Sequence, residues 1–249
     1  MKKIAFAVGS HPDDIEFMMA GTLLRLKKAG YEVHYMNVAN GCMGTNSKRH
    51  AEIVAIRLEE AQESAALAGA VFHGPICNDI EVFYSQELLT RMASIVRDVR
   101  PDIILTHGPY DYMEDHVNTG RLAVTAAFCR GMTNYPCNPP RPAIDGNVTV
   151  YHSMPHGMKD ALNRPVAAEL FVDVTSEMPL KRQMLECHRS QKEWLDVSQG
   201  MDAYVSEMDN RMRIFGRLSG RFEYAEGWIR HNAAGFCPET ANPLLDALP

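Results

Sequence analysis

Ile4-Ala5-Phe6-Ala7-Val8-Gly9-Ser10-His11-Pro12-Asp13-Asp14-Ile15-Glu16 is the stretch that decides how this chain is read. The apolar run from Ile4 to Val8 predicts a buried strand, and Phe17 to Ala29 predicts a helix. Ser10 to Glu16 therefore stands where a strand ends and a helix begins, the place where ligand sites form in open α/β sheets. His11 and Asp14 are both able to face one divalent metal, which leaves the intervening Asp13 uncoordinated and free to move protons. Neutral imidazole nitrogen and carboxylate oxygen are ordinary zinc donors at about 2.0–2.2 Å. Helix capping accounts for one of the two Asp residues at most. It leaves His11 and the second carboxylate without a role.

Outward from that stretch, strands and helices alternate. Gly30 supplies a helix C-cap, and Tyr31 to Val38 reads as a second strand. Ser47 to Gly69 carries Ile53, Ala55, Ile56, Ala61, Ala65 and Ala66 at helical spacing. Val71 to Cys77 reads as a strand, Ser85 to Val99 as an amphipathic helix, and Pro101 to His107 as a strand of the buried parallel kind. Strands joined by helices of this length imply right-handed βαβ units and a doubly wound α/β sheet. In the order 3-2-1-4 the first and fourth strands are neighbours, so the loop Ser10 to Asp14 faces the loop His107 to His116. His116, which opens a segment of helical character continuing through Arg121 to Phe128, is then the expected third ligand. Alone it reads as a surface histidine. Two His and one Asp leave a coordination position open for water or a carbonyl oxygen, the pattern of catalytic zinc.

The second half is less regular. Val148 to Met154 and Leu170 to Val174 read as strands, and Ser176 to Arg189 and Met201 to Arg217 as helices, after a Pro-rich stretch from Pro136 to Pro142. Residues 235–249 read as an extended tail over a surface or a neighbouring subunit. No repeat or linker divides the chain, so residues 1–249 are expected to form a single domain.

Bulk properties narrow the function classes. A hydrophobic content of 46% and a charged content of 22% are ordinary for a globular protein. The net charge of −6 argues against a nucleic-acid surface. No apolar run approaches the roughly 18–20 residues that cross a membrane. The opening Met1-Lys2-Lys3 with its short apolar run reads as a strand and not a signal peptide. The six cysteines contain no CxxC pair and read as reduced thiols, with the cytoplasm as the expected address.

His11-Pro12-Asp13-Asp14 and the distal Asp115-His116 resemble the LmbE-like, or PIG-L, family of zinc-dependent N-acetylglucosaminyl deacetylases. The likeness extends to Asn40-Gly41, Arg57 with Glu60-Ala61, Asp79, Arg100-Pro101-Asp102, His188-Arg189-Ser190-Gln191 and Tyr224-Ala225-Glu226-Gly227, in the family's order. The resemblance implies a Rossmann-like, mostly parallel sheet with additional C-terminal strands and helices. It implies a metal held by His11, Asp14 and His116, with Asp13 as general base. The cofactor it implies is Zn2+, with Fe2+ or Co2+ as substitutes, and the partner is a small-molecule amino sugar or its conjugate. A homo-oligomer is left open. Arg57 and Asp79 are similar to positions that grip sugar hydroxyls or a neighbouring phosphate; without the family they read as a helix-surface cation and a turn residue. Two positions depart from the family's pattern. Met113 stands where a histidine usually helps hold the oxyanion, so Tyr112, Tyr110 or His107 is expected to replace it, and Cys42 stands where an acidic residue is common.

Three rival readings remain. An amidase on a non-acetyl C–N bond, such as a thiol conjugate, would release no acetate. A nucleotide-binding oxidoreductase is disfavoured, because the first turn lacks G-x-G-x-x-G and puts carboxylates where a pyrophosphate needs backbone N–H groups. A catalytically weakened sugar-binding protein would have no need of a free Asp13.

Overall fold

The computed structural model describes residues 2–199 and 204–248. The elements in chain order are β1 (Ile4–Gly9), α1 (Asp14–Met18), α2 (Ala20–Lys28), β2 (Glu32–Asn37), α3 (His50–Ala68), β3 (Val71–His73), α4 (Gln86–Val99), β4 (Ile103–His107) and α5 (Glu114–Phe128). Then come β5 (Thr149–Ser153), β6 (Leu170–Asp173), α6 (Met178–Glu186), α7 (Arg189–Gln199), α8 (Tyr204–Ser219), β7 (Ala225–Arg230) and α9 (Pro243–Ala247). The strands form a seven-stranded sheet in the order β3-β2-β1-β4-β5-β7-β6. The first five pair in parallel; β7 runs antiparallel to both β5 and β6. The expected 3-2-1-4 core is present, and β1 lies beside β4 with Val8 opposite Thr106. Loops that leave the carboxyl ends of these two strands share one crevice.

Both faces of the sheet are covered. Ala5, Ala7, Ile103 and Leu105 point into one cluster with Leu23, Leu26, Met184 and Phe215. Phe6, Val8 and Ile104 point into the other with Met92, Val96, Leu122 and Ala126. This two-sided burial is why β1 and β4 read as continuous apolar runs and not as alternating ones.

Several elements differ from the sequence reading. Helix α5 begins at Glu114, two residues before the expected start at His116, so His116 lies in its first turn. The predicted helix Phe17 to Ala29 is two helices broken at Met19, whose φ of −134° is not helical. The amides that open α2 are held from a distance: Glu226 on β7 accepts from Gly21 N and Thr22 N, and Lys181 on α6 donates to the same carboxylate. Strand β7 escaped the sequence pattern because Glu226 and Gly227 are poor strand residues. Here Gly227 is required by close approach, since a Cβ would sit 3.0 Å from Ala168 and 3.1 Å from Met154. Residues Met201 to Ala203 of the last predicted helix lie outside the described residues. In the tail, Leu244 and Leu248 join the core, and Tyr151 Oη donates to Asn242 Oδ1. Among the described residues no helix is long and apolar enough to cross a membrane.

Candidate metal centre and catalytic cleft

The loop after β1 is built around Asp14. Its Oδ2 accepts from the backbone N–H of His11 at 2.7 Å and of Ser10 at 3.1 Å, so the hairpin closes on its own carboxylate. Oδ1 faces His116 Nε2 at 3.3 Å. Asp13 occupies the N-cap position of α1 but makes no side-chain cap bond, and it holds a left-handed φ of 119°. A non-glycine residue there is strained by about 1–3 kcal/mol. The capping explanation therefore fails for Asp13. The strained turn presents its carboxylate to the cleft, where Oδ2 accepts from Tyr204 Oη at 2.5 Å and Oδ1 lies 3.7 Å from the Arg57 guanidinium. Burial drives its pKa upward.

His116 arrives from α5, which approaches β4 so closely that a Cβ at Gly120 would lie 2.5 Å from the His107 carbonyl oxygen. Each of the imidazoles of His11 and His116 has an acid behind it. His11 Nε2 is 2.9 Å from Asp115 Oδ2, which leaves Nδ1 turned toward Asp14 at 3.6 Å. His116 Nδ1 is 3.1 Å from Asp111 Oδ1. Carboxylates that hold the far nitrogen fix the ring and raise its basicity as a ligand. Burial opposes the charge on His11, but Asp115 and Asp14 outweigh it and lift its pKa to about 9. Burial likewise opposes His116, and Asp14 and Asp111 raise it well above the usual value. Asp14 is depressed in spite of its burial, chiefly by His116 and His107.

One donor atom from each of His11, Asp14 and His116 falls within a 4.8 Å cluster, able to hold a metal ion. His107, Asp111 and His116 form a second such group. Ring geometry separates the two. An imidazole lone pair lies in the ring plane, and the His107 and His116 rings are stacked at 4.1 Å with 13° between their planes, so they do not converge on one ion. His11 and His116 are tilted by 50° and can. His107 Nε2 is also occupied as acceptor for Ser10 N at 3.0 Å. Nε2 of His116 is buried with no well-formed hydrogen bond, a state that a bound cation would resolve, while Nδ1 keeps its ion-pair contact with Asp111. The residues fit a divalent ion.

The cluster floors a cavity of about 320 Å³ also lined by Asp13, Arg57, Asp79, Tyr112, Met113 and His156, with Phe17, Met18, Met154, Trp194 and Leu195 among its walls. Arg57 and Asp79 are both buried there, and both are partly engaged. Arg57 donates to Pro12 O at 2.5 Å and Gly41 O at 3.3 Å. Asp79 accepts from Gly41 N at 2.6 Å and Met43 N at 2.9 Å, which pins the loop after β2. Gly41, at φ +78°, leaves room for the guanidinium, since a Cβ would lie 2.5 Å from Arg57 Cδ. Behind the floor, Glu16 bonds Ser64 and Tyr35 and pairs with His188 at 3.3 Å. Ser190 docks α7 on Glu60.

Sequence reasoning gave Asp111, Asp115, His156, Trp194 and Tyr204 no role. The two acids flank His116 within five residues, and that acidic density is a readable signal. Tyr204 has none, being 191 residues from Asp13 in the chain.

Residues 6–127 match the family described as PIG-L: GlcNAc-PI de-N-acetylase. Over 237 residues the chain is 27% identical to diacetylchitobiose deacetylase of Thermococcus kodakarensis, covering 91% of this chain and 82% of that protein. A second relative, 4-oxalmesaconate hydratase of Pseudomonas putida, is 27% identical over 201 residues, 77% of this chain and 75% of its own length. Among solved structures, N,N'-diacetylchitobiose deacetylase of Pyrococcus horikoshii superposes with a TM-score of 0.76 at 26% identity, over 96% of this chain and 88% of that one. The relatives of this chain thus include both a deacetylase and a hydratase, and the cleft must distinguish these chemistries.

Proposed function

We propose that this protein is a metal-dependent hydrolase that removes the N-acetyl group from an N-acetylglucosamine-type amino sugar or its conjugate, consuming water and releasing acetate and the free amine. The carrying observation is Asp13: a strained, uncapped, uncoordinated carboxylate held beside a three-donor cluster on the floor of a cleft. His11, Asp14 and His116 would hold the ion, zinc by donor chemistry, with iron(II) or cobalt as substitutes. When bound, such an ion polarises an amide carbonyl and acidifies water. Asp13 takes the proton from the attacking water and returns it to the leaving nitrogen. Its raised pKa favours accepting that proton. Tyr204 fixes the Asp13 carboxylate. Met113 offers no donor, so Tyr112 and His156, both lining the cleft, are the side chains placed to support the tetrahedral oxygen. Arg57 and Asp79 shape the wall that receives the sugar, with the unpartnered Gln191 Oε1 beside them.

Hydration of a multiply charged acid is the less favoured chemistry. Arg57 is the one Lys or Arg side chain lining the cleft among the described residues, and it already serves two backbone carbonyls. Asp13, Asp14, Asp79 and Asp111 line the same space. With a divalent ion and Arg57 set against these four carboxylates, the space holds no surplus positive charge to attract a multiply charged acid, and a neutral acetamido sugar needs none.

The test is acetate release across a panel of N-acetylated sugars and conjugates, run with chelator-stripped and zinc-loaded protein. Stripped protein is expected to be inactive and to recover on reloading. No acetate from any substrate with the metal bound overturns the reading. The acids behind the ligands supply a second check. Asp111→Asn and Asp115→Asn are each expected to weaken metal affinity about 10–100-fold, read by competition with a chromogenic chelator. Unchanged affinity in both would remove them from the support of the ligand set.

A further inference from the structure

The rim of the cleft is apolar where its floor is charged. Met43, Ile80 and Tyr112 line the cavity and are nonetheless 57%, 65% and 50% exposed. They come from three separate loops, after β2, after β3 and after β4. Ile80 is the most informative of them. It is a β-branched residue at φ +63°, a left-handed conformation that costs an L side chain about 1–2 kcal/mol. That conformation is held by Asp115, whose Oδ2 accepts from Ile80 N at 2.7 Å while also bonding His11. Asp79, the preceding residue, holds Met43 N. The carboxylate that orients His11 therefore also holds the backbone of Ile80, and the neighbouring Asp79 holds that of Met43.

Any substrate that places an acetamide over Asp13 and the His11/Asp14/His116 cluster must send the rest of itself out past this rim. On the deacetylase reading, we infer that the amino sugar carries an apolar aglycone, aryl or alkyl, seated against Met43, Ile80 and Tyr112. A free monosaccharide leaves these side chains in water, and a charged conjugate desolvates against them without a partner. An apolar group removes them from water and puts the strained Ile80 to use. This specificity element lies outside the metal cluster, and its contribution is separable from the chemistry.

The experiment compares p-nitrophenyl N-acetyl-β-glucosaminide with free N-acetylglucosamine, by acetate release from zinc-loaded protein. The aryl glycoside is expected to have a kcat/KM at least about tenfold higher, the worth of a modest apolar contact. Ile80→Gly, which tolerates the backbone and removes the side chain, should lower the aryl-to-free ratio about tenfold. Ile80→Leu should retain most of the ratio. Metal content and Tm are measured alongside: a purely structural role for Ile80 would move these and leave the ratio alone. Equal kcat/KM for the two substrates, or an unchanged ratio in Ile80→Gly, overturns the inference while the deacetylase reading stands. A change of oligomeric state in Ile80→Gly with an unchanged ratio assigns the rim to contact between copies of the chain. No acetate from either substrate overturns the aglycone inference, and the deacetylase reading falls with it only if the whole panel of N-acetylated sugars and conjugates is silent too.

Discussion

Asp13→Asn is expected to keep its fold and its metal while losing about 10²–10⁴-fold in kcat, the usual worth of a positioned general base. Asparagine is the informative replacement. It preserves the size of the side chain, tolerates the positive φ at this position better than most residues, and still accepts from Tyr204 through its amide oxygen. What it loses is the ability to accept a proton. Asp14 and the two histidines are untouched, so metal content by elemental analysis should match the parent protein. A variant that retains full turnover, or that loses its metal, would show that Asp13 is a spectator or a ligand. Alanine would be a poorer test, because it removes the Tyr204 bond and leaves the Arg57 guanidinium 3.7 Å from no carboxylate.

Lys181→Met is expected to destabilise the protein by about 3–5 kcal/mol, the cost of leaving a buried charge without its partner. Lys181 and Glu226 are both completely buried, with Nζ 2.5 Å from Oε1. Glu226 also accepts from Gly21 N and Thr22 N, so it caps α2 from strand β7. Lys181 further donates to Phe17 O at 3.2 Å, on the element that walls the cleft. Removing the ammonium strands a carboxylate among apolar neighbours. Urea denaturation should register the loss, and the double variant Lys181→Met/Glu226→Gln should lose less than the sum of the single changes. A loss under about 1 kcal/mol would mean that the pair behaves like a solvated surface bridge.

The match between sequence and site was uneven, for physical reasons. His11, Asp13 and Asp14 are neighbours in the chain, and the strand-to-helix junction that carries them is encoded by local apolar patterning. His116 was reachable through topology, because βαβ handedness leaves few strand orders and sets β4 beside β1. Arg57 looks like a surface cation in a helical pattern, yet it is buried and donates to Pro12 O and Gly41 O. Periodicity over α3 carries no information about a loop folding over it. The break at Met19 was equally illegible, since the carboxylate that receives α2 comes from more than 200 residues away.

The sequence by itself determined the parallel core, the hairpin with its two carboxylates, and the end of the sheet at which the candidate site forms. These follow from short-range rules, because apolar runs specify buried strands and strand order specifies which loops meet. Tertiary structure decided what each acid does. Asp13, Asp14, Asp111 and Asp115 are the same residue type within two short loops. Only packing makes one a strained free carboxylate, one a metal-facing anchor, and two the supports of separate imidazoles. Those differences rest on distances of a few ångströms between segments a hundred or more residues apart, and on burial that strengthens each contact by excluding water.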